Sequence, residues 1–507
     1  MITNNDPLRR QTWREHMMKK YGMGMYMPYQ DDVTVPKWLL ECIGFFFIAM
    51  FACWVIFGRV PNWDLALVAG VSVALFFYAG YAHSRNWRKV SEKRFLKNIF
   101  SFGFFIRIVW VVYLYYIFNP NYYGNLYGDD ADTGWYMDFA KDLATWLTGD
   151  SYLTLAQVIE INMAAIDDVG YPMLLAIEYT LTGGVSDVFV PMIVKSLMGA
   201  YCAIFIYNVA KRHFGVGTAR ITALFICLNP NMIYWCGSMM KEAEMVFFCC
   251  LAVDKLDQGL SSGNKLTLRA LWPGLLAGLV LFFMRTALGL ALFMGVLAHI
   301  VLASNRIISL AKKIIAGVLV IVTLFISVGD RIVEQSKGYL DVVRSDSQQV
   351  NMEWRSTREG GNSFAKYTGA AVFAPLIFTI PFPTLNMAHE GQLLQVQLAG
   401  GSYIKNLFSF FVIMVLFLML VSGDWRRHVF ILAYTCGYLV VLVFSGFAQS
   451  GRFHMPIWPM LMLFAAYGVQ LAKGNSYIRN GFHQVVLLEV LVCLAWNWFK
   501  LKGRGLI

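Results

Sequence analysis

The stretch YGDDADTGWYMDFAKDLA places Asp129, Asp130, Asp132, Asp138 and Asp142 in one turn and the start of one helix. Carboxylates gathered in this way suit base catalysis, in which a hydroxyl loses its proton to an acceptor held within hydrogen-bond reach. On a helix beginning near Asp132, Tyr136 and Ala140 follow at i+4 and i+8, so an aromatic and a small residue share the face below that carboxylate. The plainer expectation is that Asp132 caps the helix and the others are solvated charges. Asp130-Ala131-Asp132 is also a carboxylate triplet of the kind that holds a divalent ion, although a triplet inside an acidic loop is common.

Negative charge developing on a leaving oxygen calls for a fixed cation, and five residues qualify: Arg452 in GRFH, Lys241 in MMKE, Arg285 in FFMRT, Lys195 and His454. Arg285 lies between two apolar runs, where an unpaired cation costs about 2.5 to 3.5 kcal/mol at mid-bilayer. Pairing with Glu242, Glu244 or Glu178 is the structural expectation there. Arg107 sits within an earlier apolar run and is read as a packing or snorkelling residue. Arg452 stands at the edge of its run, just before Pro456, where a functional role is the better reading than a structural one.

The elements that position these residues are membrane helices. Of 507 residues, 58% are hydrophobic and 14% charged, with a mean hydropathy of +0.54, so a bilayer must cover surface that charge does not. The expected fold class is all-α, a polytopic bundle of about 11–13 spans with loop helices lying at the membrane surface. The net charge of +11 comes from basic segments between apolar runs, as the positive-inside rule requires, and no basic–aromatic groove indicates nucleic acid. Nine cysteines lie in or beside apolar runs without a CxxC pair, giving neither a zinc site nor a disulfide framework.

Residues 1–37 read as a cytoplasmic segment that begins MITNNDPLRR, with no apolar core and cleavage site of a removable signal. Residues 38–118 hold three spans around the hairpin HSRNWRKVSEKRFLK, with six Lys/Arg against one Glu. Residues 119–186 form the next loop, whose nine acidic residues between Asn119 and Asp168 face the single Lys141 and indicate the outside. Within it GYPMLLAIEYTLTGG is too short to span and reads as re-entrant or interfacial. Residues 187–328 form a transmembrane core, 329–406 an outer loop with an irregular membrane segment, and 407–507 the C-terminal spans. Both KRHFGVGTAR and DWRRH are expected at the cytoplasmic side, and QSGRFH at the outer side.

The order of several segments resembles the GT-C glycosyltransferases that use polyprenyl-phosphate-linked sugars, the class of aminoarabinose transferases and protein O-mannosyltransferases. DTGWYMDFA (Asp132, Tyr136, Ala140) resembles the D-x-x-x-Y-x-x-x-A of that family's first outer loop, and GYPMLLAIEYTLTGG, with Tyr171, its G-x-P-L-L-x-A-L segment. The run from IFIYNVAKRHFG to SMMKEAEM is similar to a span, basic turn and proline-containing span ending at an acidic position, here Glu242. LLAGLVLFFMRTALGLAL and GRFHMPIWPMLMLFAAYG resemble two later segments. Together they cover about two-fifths of the chain. Thr133 stands where the family often has Glu, which leaves open which of Asp129, Asp130 and Asp132 is the functional carboxylate.

The resemblance implies an inverting transfer of sugar from a polyprenyl-phosphate carrier to a hydroxyl of a glycan, lipid or protein, at the outer face of the cytoplasmic membrane. Asp132 is the expected base, Arg452, Lys241, Arg285 and His454 the candidates for the donor phosphate, and Tyr136, Glu242 and Tyr171 the supporting residues. A single phosphate needs less neutralisation than a pyrophosphate, so no cofactor is required and a divalent cation is optional. Two other readings compete. A lipid-linked polysaccharide polymerase calls for a strongly basic outer loop, whereas 329–366 is mixed in charge. A transporter using Arg107, Glu178 and Arg285 calls for broken helices placed symmetrically in two halves, and none is evident.

Overall fold

The computed structural model describes residues 32–58, 63–118, 131–162, 168–183, 188–261, 268–302, 356–357, 361–364, 370–386, 396–445 and 448–507. These residues are overwhelmingly helical and include no strand, so the chain is an all-α multi-pass membrane bundle. Eight helices are long and apolar enough to cross a bilayer: α1 (Lys37–Phe57), α2 (Trp63–Asn86), α3 (Glu92–Phe118), α7 (Phe189–Leu228), α11 (Ala399–Ser422), α12 (Asp424–Phe444), α13 (Gly451–Gly474) and α14 (Ser476–Lys502). Two shorter apolar helices, Ala270–Met284 (α9) and Thr286–Leu302 (α10), flank Arg285. The expected 11–13 spans are not reached by length and composition among the described residues. The apolar run 314–328 lies outside them.

Three helices precede the core on the acidic side: α4 (Ala131–Thr148), α5 (Leu155–Ile161) and α6 (Gly170–Leu181). In α4 the residues Tyr136, Phe139, Ala140, Leu143 and Ala144 recur at helical spacing and are all buried, while Asp138 and Lys141 pair on the opposite face at 2.9 Å. That buried stripe packs on α6, as the shared face of Tyr136 and Ala140 predicts. At twelve residues α6 is too short to cross a bilayer by itself.

The 40-residue α7 is two arms. Gly215, at φ 83° and ψ 177°, breaks it in a conformation that essentially only glycine adopts, so the two apolar runs on either side remain separate helical arms. The second arm ends at Asn229, whose side chain accepts from the N–H groups of Asn231 and Met232, with Pro230 at the first position of the turn that follows. An irregular stretch then leads to α8 (Glu242–Ser261), which packs between α7 and α9. Fully buried Arg107 on α3 gives hydrogen bonds to the carbonyls of Gly103 (2.9 Å) and Cys227 (3.2 Å). A Cβ at Gly199 would come within 2.6 Å of its Nε, so α3 and α7 meet only because that position lacks a side chain. Arg107 is thus enclosed in the helix packing, while its Nε and Nη2 meet no hydrogen-bond partner among the described residues.

The basic segments gather at one end. Arg220 donates to the carbonyls of Trp87, Arg88 and Val90 in the basic hairpin. His213 meets His428 of DWRRH, Nδ1 to Nδ1, at 2.8 Å. Arg212 holds Asp254 (2.8 Å) and Asp257 (2.6 Å) at the far end of α8. The nine cysteines are all free thiols, eight of them buried.

Candidate active site

Segments far apart in sequence meet at the other end of α8. Arg452, in the first turn of α13, donates through Nε to Glu242 (2.6 Å) and through Nη2 to Asp132 (2.8 Å), across 210 and 320 residues. Glu242 is fully buried, whereas Asp132 is 49% exposed at the start of α4. Beside them Lys241 forms an ion pair with Asp168 and lies 5.6 Å from the Tyr136 ring centroid. Tyr136 is only 3% exposed and packs edge-on against Tyr171 at 5.1 Å, so it supports the site from below and is no platform for a sugar.

Lys195 lies under this layer. A lysine in the apolar run VPMIVKSLMGA is costly unless it is paired, and here its ammonium donates to the Tyr171 hydroxyl (2.8 Å) and the carbonyls of Ser238 (2.7 Å) and Met240 (2.8 Å), with Glu244 at 3.3 Å. It therefore ties α6 and the irregular 238–241 stretch to α7. Among the described residues Arg285 forms no direct ion pair with Glu242, Glu244 or Glu178, the expected partners, although Glu242 lies close enough to act on its charge. Its guanidinium lies 4.3 Å from the Phe453 ring centroid and 3.4 Å from the Tyr438 hydroxyl, and Arg452 lies 5.6 Å from the same ring. Two guanidinium groups thus approach one aromatic side chain at the acidic end.

Charge and burial act strongly here. Burial and the neighbouring Glu244 push the Glu178 carboxyl up to about 7, with Lys195 opposing. Burial also raises the Glu244 carboxyl, and Lys195 again opposes. Burial, together with repulsion from Arg285, lowers the Lys241 ammonium, while Asp168 holds it up. One oxygen of each of Glu178, Glu242 and Glu244 is buried without a hydrogen-bond partner. Such atoms face a large desolvation penalty unless they are protonated or meet a donor.

Seven of the ten expected site residues come together: Asp132, Arg452, Lys241, Arg285, Tyr136, Glu242 and Tyr171. Asp129 and Asp130 lie outside the described residues. His454 does not join the cluster, because its buried ring donates from Nε2 to the Ala448 carbonyl (2.7 Å) and accepts at Nδ1 from Lys405 (2.9 Å). Asp168, Glu244, Phe453 and Tyr438 were not among the expected site residues. Asp168 and Glu244 are charges beside motif positions, a signal that could have found them. Nothing separates the two aromatics from the many others in membrane segments.

Among the described residues no group of three or more His, Cys, Asp or Glu side chains could hold a metal ion. A cavity of about 470 Å³ lies at the basic end, bordered by Glu92, Lys211, Arg212 and Asp254. Lys211 pairs with Glu92 (2.7 Å) and Arg212 with Asp254, so this cavity has the character of a closed charge network and is remote from the Asp132 cluster. No family model, curated protein or solved structure matches the chain.

Proposed function

We propose that the chain is an inverting glycosyltransferase that moves a sugar from a polyprenyl-phosphate carrier to a hydroxyl acceptor, with the Asp132 end at the outer face of the cytoplasmic membrane. The observation that carries this reading is the junction of Asp132, Glu242 and Arg452, each from a different segment of the family resemblance, with Arg285 and Lys241 alongside. Asp132 takes the acceptor's hydroxyl proton, and the oxygen attacks the anomeric carbon. The bond from that carbon to the phosphate oxygen breaks with its electron pair on the phosphate. Arg452 and Arg285 stabilise that charge in place, without reorganising as water would. Phe453, approached by both guanidinium groups, orients them.

The orientation rests on charge. The basic hairpin, Arg212 and DWRRH meet at the end remote from Asp132, which suits the cytoplasmic side. The test is release of radiolabelled sugar from a panel of polyprenyl-phosphate hexoses and polyprenyl-pyrophosphate glycans by the purified protein in lipid nanodiscs. We expect donor consumption in the wild type and none in Asp132→Asn. Consumption of pyrophosphate-linked glycans alone would favour a polymerase, and donor left intact across the panel would refute the proposal.

A further inference from the structure

We propose that the donor's phosphate and Asp132 compete for one edge of Arg452, so that donor binding itself releases the base; this rests on the function proposed above. Among the described residues two carboxylates hold Arg452, and they are not equivalent. Glu242 begins the buried helix α8, is fully enclosed and holds Nε at 2.6 Å. Asp132 is half-exposed, sits in the first turn of α4 and holds Nη2 at 2.8 Å. Of the two, only Asp132 can turn toward water without leaving a buried charge behind, so the Nη2 edge is the exchangeable one.

The charge of the cluster favours such an exchange, beside the protonation that the raised Glu178 and Glu244 already allow. Among the described residues the carboxylates of Asp132, Asp168, Glu178, Glu242 and Glu244 surround the cations Arg452, Arg285, Lys241 and Lys195. An added phosphate would meet net repulsion unless a carboxylate gave way or took a proton. A phosphate oxygen on Nη2 replaces the aspartate with an anion of the same hydrogen-bonding character, while Glu242 keeps the guanidinium in place. The bond to Arg452 also fixes where Asp132 rests: Nη2 engages Oδ2 while Oδ1 keeps its own lone pairs, so Asp132 stands as an ion pair beside the site until the donor arrives. Displaced, it lies beside the phosphate whose sugar is to be attacked. Binding of the first substrate then frees the carboxylate to turn toward the second, whereas an acceptor arriving before the donor finds it turned to Arg452.

Competition has a signature opposite to that of a residue that helps to bind. By linkage, removing Asp132 must strengthen the phosphate's hold on Arg452. The experiment measures affinity for a short-chain polyprenyl monophosphate, with purified wild type, Asp132→Asn, Asp132→Ser and Arg452→Ala in nanodiscs and thermal unfolding as the check on folding. Tightening of about fivefold or more in the Asp132 variants is expected, with weakening in Arg452→Ala. Asp132→Ser keeps a small polar residue at the helix start, so the comparison stands even where Asp132→Asn fails to fold. Unchanged or weaker binding in the folded Asp132 variants, beside a wild type that binds, overturns the exchange and leaves the proposed function standing. A wild type that does not bind the lipid phosphate overturns both.

Discussion

Lys195→Met removes the ammonium that holds the second layer of the site and keeps most of its volume. In the folded protein that ammonium meets Glu244, the Tyr171 hydroxyl and two carbonyls, all within 3.3 Å, and is 1% exposed. Taking one partner from a buried pair leaves the other uncompensated and costs about 3–5 kcal/mol. Here the loss is graded by pH. Glu178 already titrates near 7 with Lys195 opposing the shift, and without the lysine both Glu178 and Glu244 rise further. A carboxyl whose folded pKa exceeds its unfolded value binds more protons in the native state. Its contribution therefore destabilises increasingly as pH rises from 4.5 toward the folded value, and is fully relieved below 4.5. A rise from 4.5 to about 7 at Glu178 corresponds to about 3 kcal/mol, of the same order as the pair itself. Thermal unfolding in nanodiscs at one scan rate should give a large loss of apparent Tm at pH 8 and a much smaller one near pH 5. Adding Glu244→Gln should recover part of the loss at pH 8. Equal losses at both pH values would show that the lysine acts by packing alone, and no loss at pH 8 would refute the ion-pair reasoning altogether.

Arg285→Ala should weaken polyprenyl-phosphate binding by about tenfold, and Arg285→Lys should recover only part of it because an ammonium cannot present two parallel donors; affinity and thermal stability measured on the same samples separate this from a folding defect. Gly215→Ala should destabilise the bundle by about 1–3 kcal/mol, because alanine cannot adopt φ 83° with ψ 177° without strain, and unfolding midpoints read the effect directly. A cysteine replacing fully exposed Tyr152 should react with a membrane-impermeant thiol reagent in intact cells, against native cysteines that are almost all buried. Labelling only after permeabilisation would invert the proposed orientation.

Much of this was legible in the sequence because membrane helices announce themselves by composition, and because the spacing of Tyr136 and Ala140 fixes a buried face whatever lies beneath it. The grouping of the basic hairpin, KRHFGVGTAR and DWRRH at one end was legible from charge. The partner of each charge was not. Arg285 sits between two apolar helices, and carboxylates at three sequence positions seemed equally able to meet it. The outcome, an aromatic ring and a tyrosine hydroxyl, depends on how α10 packs against α12. His454 shows the same limit from the other side. Two residues from Arg452 on one short turn, it binds Lys405 inside the bundle, because side chains two apart on a helix point in different directions.

The position of Glu242 has a mechanical origin that bears on how Arg452 works. Helix α8 is fastened to α7 near both ends, by Glu244 to Lys195 and by Asp254 and Asp257 to Arg212. Lys195 and Arg212 lie about 25 Å apart along α7. A helix held at two such distant points by buried or half-buried charges can neither slide nor rotate without breaking one of them. Glu242, two residues before Glu244 on the same fastened helix, is therefore a fixed point, and Arg452 inherits its position from it. Asp132 is held less rigidly: α4 meets the bundle through the apolar face it shares with α6 and through buried Thr133, which donates to Met240 Sδ (3.1 Å), while the Asp132 carboxylate stands half in water. The rigid partner sets where the guanidinium stays, and the loosely held partner is the one that an incoming anion can replace.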